Sequence, residues 1–181
     1  MKPMRHTVNL DRRWRWLLAV LPLALAGCGG PLSPDYGVRE GKFPTCPANQ
    51  DCVSSQETDP KLYIAPLHYR PSHTSSQVDR DKAHTDLVAA INAAGPARIV
   101  SNHRNYIRVE YPVAPHDQRK TDYYYQPEQA VDEVQFYLSP TDYTVEMFSV
   151  GKLGLLESGD SRERLEKVRA YFDKLQQQPR S

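Results

Sequence analysis

The stretch VDEVQFYLSPTDYTVEMFSV, residues 131–150, decides the fold. Val134, Phe136 and Leu138 alternate with polar neighbours, and Tyr143, Val145 and Met147 repeat the alternation after Ser139-Pro140-Thr141. Period-two patterning on both sides of a turn-forming link predicts a β-hairpin with one buried face. A hairpin cannot hide that face alone, so the apolar stripes around it must supply the cover.

Upstream, ARIVSNHRNYIRVEYPV predicts a second hairpin turning at NHRN, residues 102–105. Ile107, Val109, Tyr111 and Val113 point one way, with Arg108 and Glu110 opposite. Before it, Ala83, Leu87, Val88, Ile91 and Ala94 recur at three-to-four spacing, and Gly95-Pro96 closes the run as a helix stop. After it, Leu165, Val168, Tyr171, Phe172 and Leu175 mark a second amphipathic helix, with Asp160 and Glu163 spaced as a capping box. The expected fold is α+β. Two hairpins form a four-stranded antiparallel sheet, and two helices pack on one face. An extended, proline-rich segment over residues 29–78 precedes them. No internal repeat is visible.

The N-terminus carries an address. Lys2, Arg5, Arg12, Arg13 and Arg15 stand against Asp11 alone, and an apolar run from Trp16 to Ala26 follows, broken by Pro22. A basic head, a short apolar middle and small residues make a secretory signal. Eleven residues fall short of the roughly 20 that a membrane-crossing helix needs. Its ending, Leu25-Ala26-Gly27-Cys28, resembles the lipobox of bacterial lipoproteins. That resemblance implies cleavage before Cys28, a diacylglyceryl group on its thiol and an acyl chain on the new amino terminus. Several chains are needed because one anchors only marginally, at about 0.8 kcal/mol per buried methylene. Gly29 after the cysteine points to the outer membrane facing the periplasm, with the inner membrane as the alternative. Arg12-Arg13 hints at twin-arginine export, but Arg15 occupies a position where that signal wants an apolar residue, which favours the general route.

Cleavage leaves 154 residues, enough for one core-forming domain. They hold 18 Lys/Arg and 21 Asp/Glu, a net charge of −3 with histidine neutral, which does not suggest a nucleic-acid partner. The layout reads as a leader at 1–27, a flexible tether at 28–43, a single domain at 44–176 and a disordered tail at 177–181. Cys46 and Cys52 lie close together in CPANQDC. Outside the cytoplasm such a pair reads as a disulfide. Free thiols remain open, a metal site would lack its further ligands, and redox pairs are spaced differently.

These blocks together resemble the bacterial family catalogued as domain of unknown function 1499. CPANQDCVSSQ matches its cysteine-flanked opening, YIAPLHY at Tyr63–Tyr69 a second block, and YIRVEY and DEVQFYL its middle strands. In the closing signature, Ser149, Gly154, Gly159, Arg162, Arg164 and Glu166 fall on matching positions. Gly151 stands where the family has a second serine, Lys152 replaces an arginine, Glu157 an aspartate and Ser161 an asparagine. The insert APHDQRKTDYYYQPEQA between the hairpins is longer than the family pattern. The resemblance implies a fold without an activity.

Ser149, Glu157, Arg162 and Arg164 are the candidate ligand-binding residues. Helix N-termini attract anions, so a small anionic ligand such as a phosphate headgroup is one expected partner. The alternative is that both arginines pair with Glu157, Glu166 and the sheet edge to pin the helix. No catalytic or metal-binding residues and no cofactor are expected: there is no GxSxG elbow, and His68, His73, His84, His103 and His116 are scattered without a ligand pair. Tyr123–Tyr125 either bind a partner through flat aromatic faces or fold back over the sheet edge. The expected role is a lipid-anchored, non-catalytic binding or structural module, its partners the membrane and an envelope protein or small ligand. An envelope enzyme acting on lipid or cell-wall material, using the polar site near the last helix, is the alternative.

Overall fold

The computed structural model describes residues 37–72, 75–112, 131–151 and 160–178. The deciding hairpin is β5, Val131–Leu138, and β6, Thr144–Val150, antiparallel with Val134 opposite Ser149, Phe136 opposite Met147 and Leu138 opposite Val145. All but Ser149 are the apolar residues expected inside, and all six are fully buried. Tyr143 falls just before β6, in the link, with a positive φ of 52°. It packs edge-on against Tyr69, ring centroids 5.5 Å apart.

The other hairpin is β3, Arg98–His103, and β4, Tyr106–Pro112, joined by the two-residue turn Arg104–Asn105. The guanidinium of Arg104 donates to both Asp81 carboxylate oxygens at 3.0 Å. That contact is the main reason the Asp81 carboxyl is held down at about 2; Gln77 adds a second donor. Asp81 lies on helix α1, Ser76–Ala94, which begins three residues before the expected Asp79. The early start has a physical cause: the Ser75 hydroxyl accepts from the Val78 amide at 3.2 Å and caps the helix.

Among the described residues the sheet has six strands where four were expected. β1, Cys52–Ser54, and β2, Leu67–His68, both pair antiparallel with β6 along its far edge, giving the order β1/β2–β6–β5–β4–β3. They lie inside the segment expected to be merely extended. Strands of three and two residues are too short to show a period in sequence.

Helix α2, Asp160–Gln176, closes the fold. Its buried Leu165, Val168 and Phe172 join Leu87, Ala90 and Ile91 of α1 and one face of the sheet in a single core. Both helices therefore cover the same face. The opposite face has its own apolar cluster: Phe43 lies over Phe148, ring centroids 5.6 Å apart, beside Val150 and the Cys46–Cys52 disulfide. Residues 37–43, counted with the tether in sequence, contribute Val38 and Phe43 to it. Gln56 holds the C-terminal end of this strap, accepting from the Phe43 amide and donating to the Gly41 carbonyl, each at 2.9 Å. Gly41 has a φ of +77°, and a Cβ there would stand 3.4 Å from the Tyr137 ring. Among the described residues, no helix is long and apolar enough to cross a membrane.

Candidate functional site

Where β4 and β6 end and β5 and α2 begin, four residues form one row across the sheet: Tyr111, Asp132, Gly151 and Asp51. Tyr111 pairs with Asp132 across the β4–β5 ladder, and the Gly151 amide donates to the Asp51 carbonyl at 2.8 Å. Asp132 follows the inward phase of Val134 and Phe136, which puts a carboxylate on the core side of the sheet, 7 % exposed. A buried carboxylate needs a partner. Arg164 supplies it from α2, with Nη2 2.7 Å from Asp132 Oδ2. The same guanidinium lies over the Tyr111 ring, 5.0 Å from its centroid, a cation–π contact. A Cβ at Gly151 would make ordinary contact with Asp132 Oδ1, at 3.4 Å.

Ser149 sits two register rows deeper, opposite Val134 on β5 and Val53 on β1, with no exposure. Among the described residues, three buried polar atoms here have no hydrogen-bond partner: the Ser149 hydroxyl, the Tyr111 hydroxyl and Arg164 Nη1. Each such atom ordinarily costs about 1–3 kcal/mol when left unmet. Burial pushes the Tyr111 phenol up to about 12, against an opposing pull from the Arg164 charge, so the hydroxyl stays protonated and remains a donor.

Arg162 is directed elsewhere. Its Nη2 donates to the main-chain carbonyls of Lys61 and Tyr63, each at 2.9 Å. Two turns on, Arg169 does the same for Ala65 and for Pro66, the latter at 3.1 Å. Together they bind carbonyls of the irregular segment between β1 and β2, which also makes an isolated bridge from Tyr63 to Ser54. The structure thus sends Arg164 to one side of α2 and Arg162 to the other, and Ser149 lies in the sheet with its hydroxyl bonded to neither. Glu166 pairs with Arg169 at 2.9 Å. Glu157, Cys28 and the Tyr123–Tyr125 run lie outside the described residues.

The start of α2 is held from a distance. Asp51 Oδ2 accepts from the Ser161 amide at 2.9 Å, and the Asp51 carbonyl accepts from the Ser161 hydroxyl at 3.1 Å. Glu163, expected to reach back in a capping box, instead pairs with Lys167 at 2.8 Å, which holds its carboxyl below the usual range. Asp51 is adjacent to Cys52, whose bond to Cys46 spans 5.6 Å between Cα atoms.

Sequence reasoning missed Asp132, Tyr111 and Asp51 as parts of this site. Asp132 carried a signal: an acidic residue at an inward position of an alternating strand requires a buried cation. His84 bonds Asn102 at 2.7 Å on the surface, and among the described residues no group of three or more His, Cys, Asp or Glu is placed to hold a metal ion.

Comparison with curated proteins returns no match, and neither does comparison with solved structures. A family model described as "protein of unknown function (DUF1499)" matches residues 42–172, which include β1, both hairpins and the Ser149–Arg164 region. That span is well over half of the chain, and the protein belongs to this family.

Proposed function

We propose that the protein is a lipid-anchored lipoprotein of the bacterial cell envelope, acting as a non-catalytic binding or structural module. The observation that carries this reading is Leu25–Cys28 at the end of an eleven-residue apolar run behind a basic head. The Cys46–Cys52 disulfide supports it, since such bonds persist in oxidising compartments. In this reading the leader ends at residue 27, acyl chains on Cys28 hold the body to a membrane leaflet, and the domain runs to about residue 176. Val38 and Phe43 pack on the sheet, so residues 38–43 belong to the body and not to the tether. The fully buried Leu165, Val168 and Ser149 make a filled helix–sheet interface, which favours a binding or structural role over an open catalytic cleft.

The test is mass spectrometry of the amino-terminal peptide from membrane fractions, with Cys28→Ala alongside. The expected result is a mature chain beginning at an acylated Cys28, and a variant that is neither processed nor anchored. An unmodified Cys28 in a protein that washes off with buffer refutes the anchor. Density separation of the two membranes then decides between outer and inner leaflets.

A further inference from the structure

We propose that the Cys46–Cys52 disulfide is a redox latch that docks the strap of residues 37–43 at one end and the start of α2 at the other. Both cysteines belong to the apolar cluster on the sheet face away from the helices, with Phe43, Phe148 and Val150. Neither belongs to the helix-side core. The bond therefore acts on one layer of the fold and leaves the other to its own packing.

At the first end, the chain reaches Cys46 three residues after Phe43. Besides the bond, the strap is held by the Phe43 ring, the half-buried Val38 and two side chains. Gln56 takes the Phe43 amide and holds the Gly41 carbonyl, and Glu57 accepts from the Cys46 amide at 2.7 Å. Arg39 and Lys42 exchange amide-to-carbonyl bonds at 2.9 Å, a turn closed on itself rather than on the sheet. Ordering one residue costs at least what one net hydrogen bond returns, so seven residues need more than these contacts. The covalent tie supplies it, because Cys52 is itself fixed opposite Val150 of β6.

At the second end, the ring closed by the bond contains Asp51. Its carbonyl accepts from the Gly151 amide at 2.8 Å and the Ser161 hydroxyl at 3.1 Å, and its carboxylate accepts from the Ser161 amide at 2.9 Å. With the ring open, the chain from Cys46 to Cys52 gains conformations, and both bonds to Ser161 loosen with it. Latching is an oxidation. The two thiols lose two protons and two electrons as one S–S bond forms, and a disulfide of a protein thiol oxidase takes them up as two thiols. The consequence for reach rests on the anchored reading. Oxidised, the chain between Cys28 and the body ends at Val38; reduced, it ends at Cys52, fourteen residues later. At full extension that adds about 45 Å.

The experiment compares three samples of the purified full chain by hydrogen exchange: oxidised, reduced in dithiothreitol, and Cys46→Ser with Cys52→Ser. Protection at the Phe43 and Ser161 amides is expected to fall together, by roughly 30- to 70-fold for so short a ring. The Leu138 amide, bonded to the Asn105 carbonyl, and the β4–β5 ladder should keep theirs. Trypsin should cut after the exposed Arg39 and Lys42 in both bond-free forms and spare them in the oxidised chain. Asp51→Ala with the bond intact should expose Ser161 and leave Phe43 protected. Uniform loss across the sheet, complete unfolding included, overturns the latch, because the bond is then a general stabiliser. Loss at one end alone, or at neither, overturns it too, as does equal cutting of the oxidised chain or loss at Phe43 in Asp51→Ala. Acylation of Cys28 is read separately by mass spectrometry. A failed latch leaves the anchor standing, and an unmodified Cys28 removes only the change in reach.

Discussion

Asp51→Ala tests how the last helix is held. The substitution removes the carboxylate that accepts from the Ser161 amide at 2.9 Å but leaves the main-chain carbonyl that accepts from the Ser161 hydroxyl and the Gly151 amide. Loss of a side-chain cap costs typically about 1 kcal/mol, and loss of a negative charge at a helix start about 0.3–1 kcal/mol more. A total of roughly 1.5 kcal/mol corresponds to a fall in Tm of about 3–6 °C for a body of this size. Asp51→Asn keeps an acceptor and loses the charge, so it should recover more than half. Thermal and urea unfolding read the stability, and hydrogen exchange at the Ser161 amide reads the cap itself. The disulfide enters through a double-mutant cycle. Replacing Cys46 and Cys52 by alanine opens a short loop worth roughly 2–2.5 kcal/mol in the chain-entropy view. Because the ring positions Asp51, the two perturbations should be non-additive by at least about 0.5 kcal/mol. Unchanged Ser161 exchange in Asp51→Ala, or strict additivity with the cysteine change, refutes the reasoning.

Tyr111 gives a pH signature. Its folded pKa, about 12, lies above the ordinary value of 10, so its contribution to stability is complete below pH 10 and is lost as pH rises from 10 through 12. Burial also raises Tyr69, so ultraviolet phenolate titration should show late-titrating absorbance of which the Tyr111 share disappears in Tyr111→Phe. Phe43→Ala removes the ring stacked on Phe148 and should cost about 2–4 kcal/mol in urea unfolding, a loss too large for a mere linker residue. Arg162→Ala frees two carbonyls to solvent and should lower stability by about 1 kcal/mol while leaving any pulled-down envelope partner in place. Loss of a partner at unchanged Tm would instead assign Arg162 to an interface.

Both hairpins, both helices and the inward residues of β4–β6 were legible because period-two and period-3.6 patterns persist over seven residues or more. β1 and β2 were not, since their pairing with β6 depends on an edge more than 70 residues away in sequence. The strap over Phe148 was hidden for a related reason: Phe43 stands among prolines, and nothing local shows that the second sheet face needs covering. At the site, Ser149 and Arg164 were found through a resemblance, and the division of labour between Arg162 and Arg164 could not be. Those two side chains leave the helix on opposite flanks, and only the tertiary fold says that one flank meets main-chain carbonyls and the other Asp132. Asp160 and Glu163 show the same limit. Their spacing fits a box, yet the Glu163 carboxylate turns to Lys167 and the Ser161 amide is met by a carboxylate 110 residues away.

The distant clasp on α2 has a consequence for biogenesis. Ser161 reaches back 110 residues to Asp51, and Arg169 reaches back 104 to Ala65. Pairings this remote in sequence form late, because the intervening chain must first be closed into a loop. A polypeptide emerging N-terminus first cannot shut its own core until the final twenty or so residues have been made. Shortening the gene before α2 should therefore yield no partial fold, only a chain left for proteases.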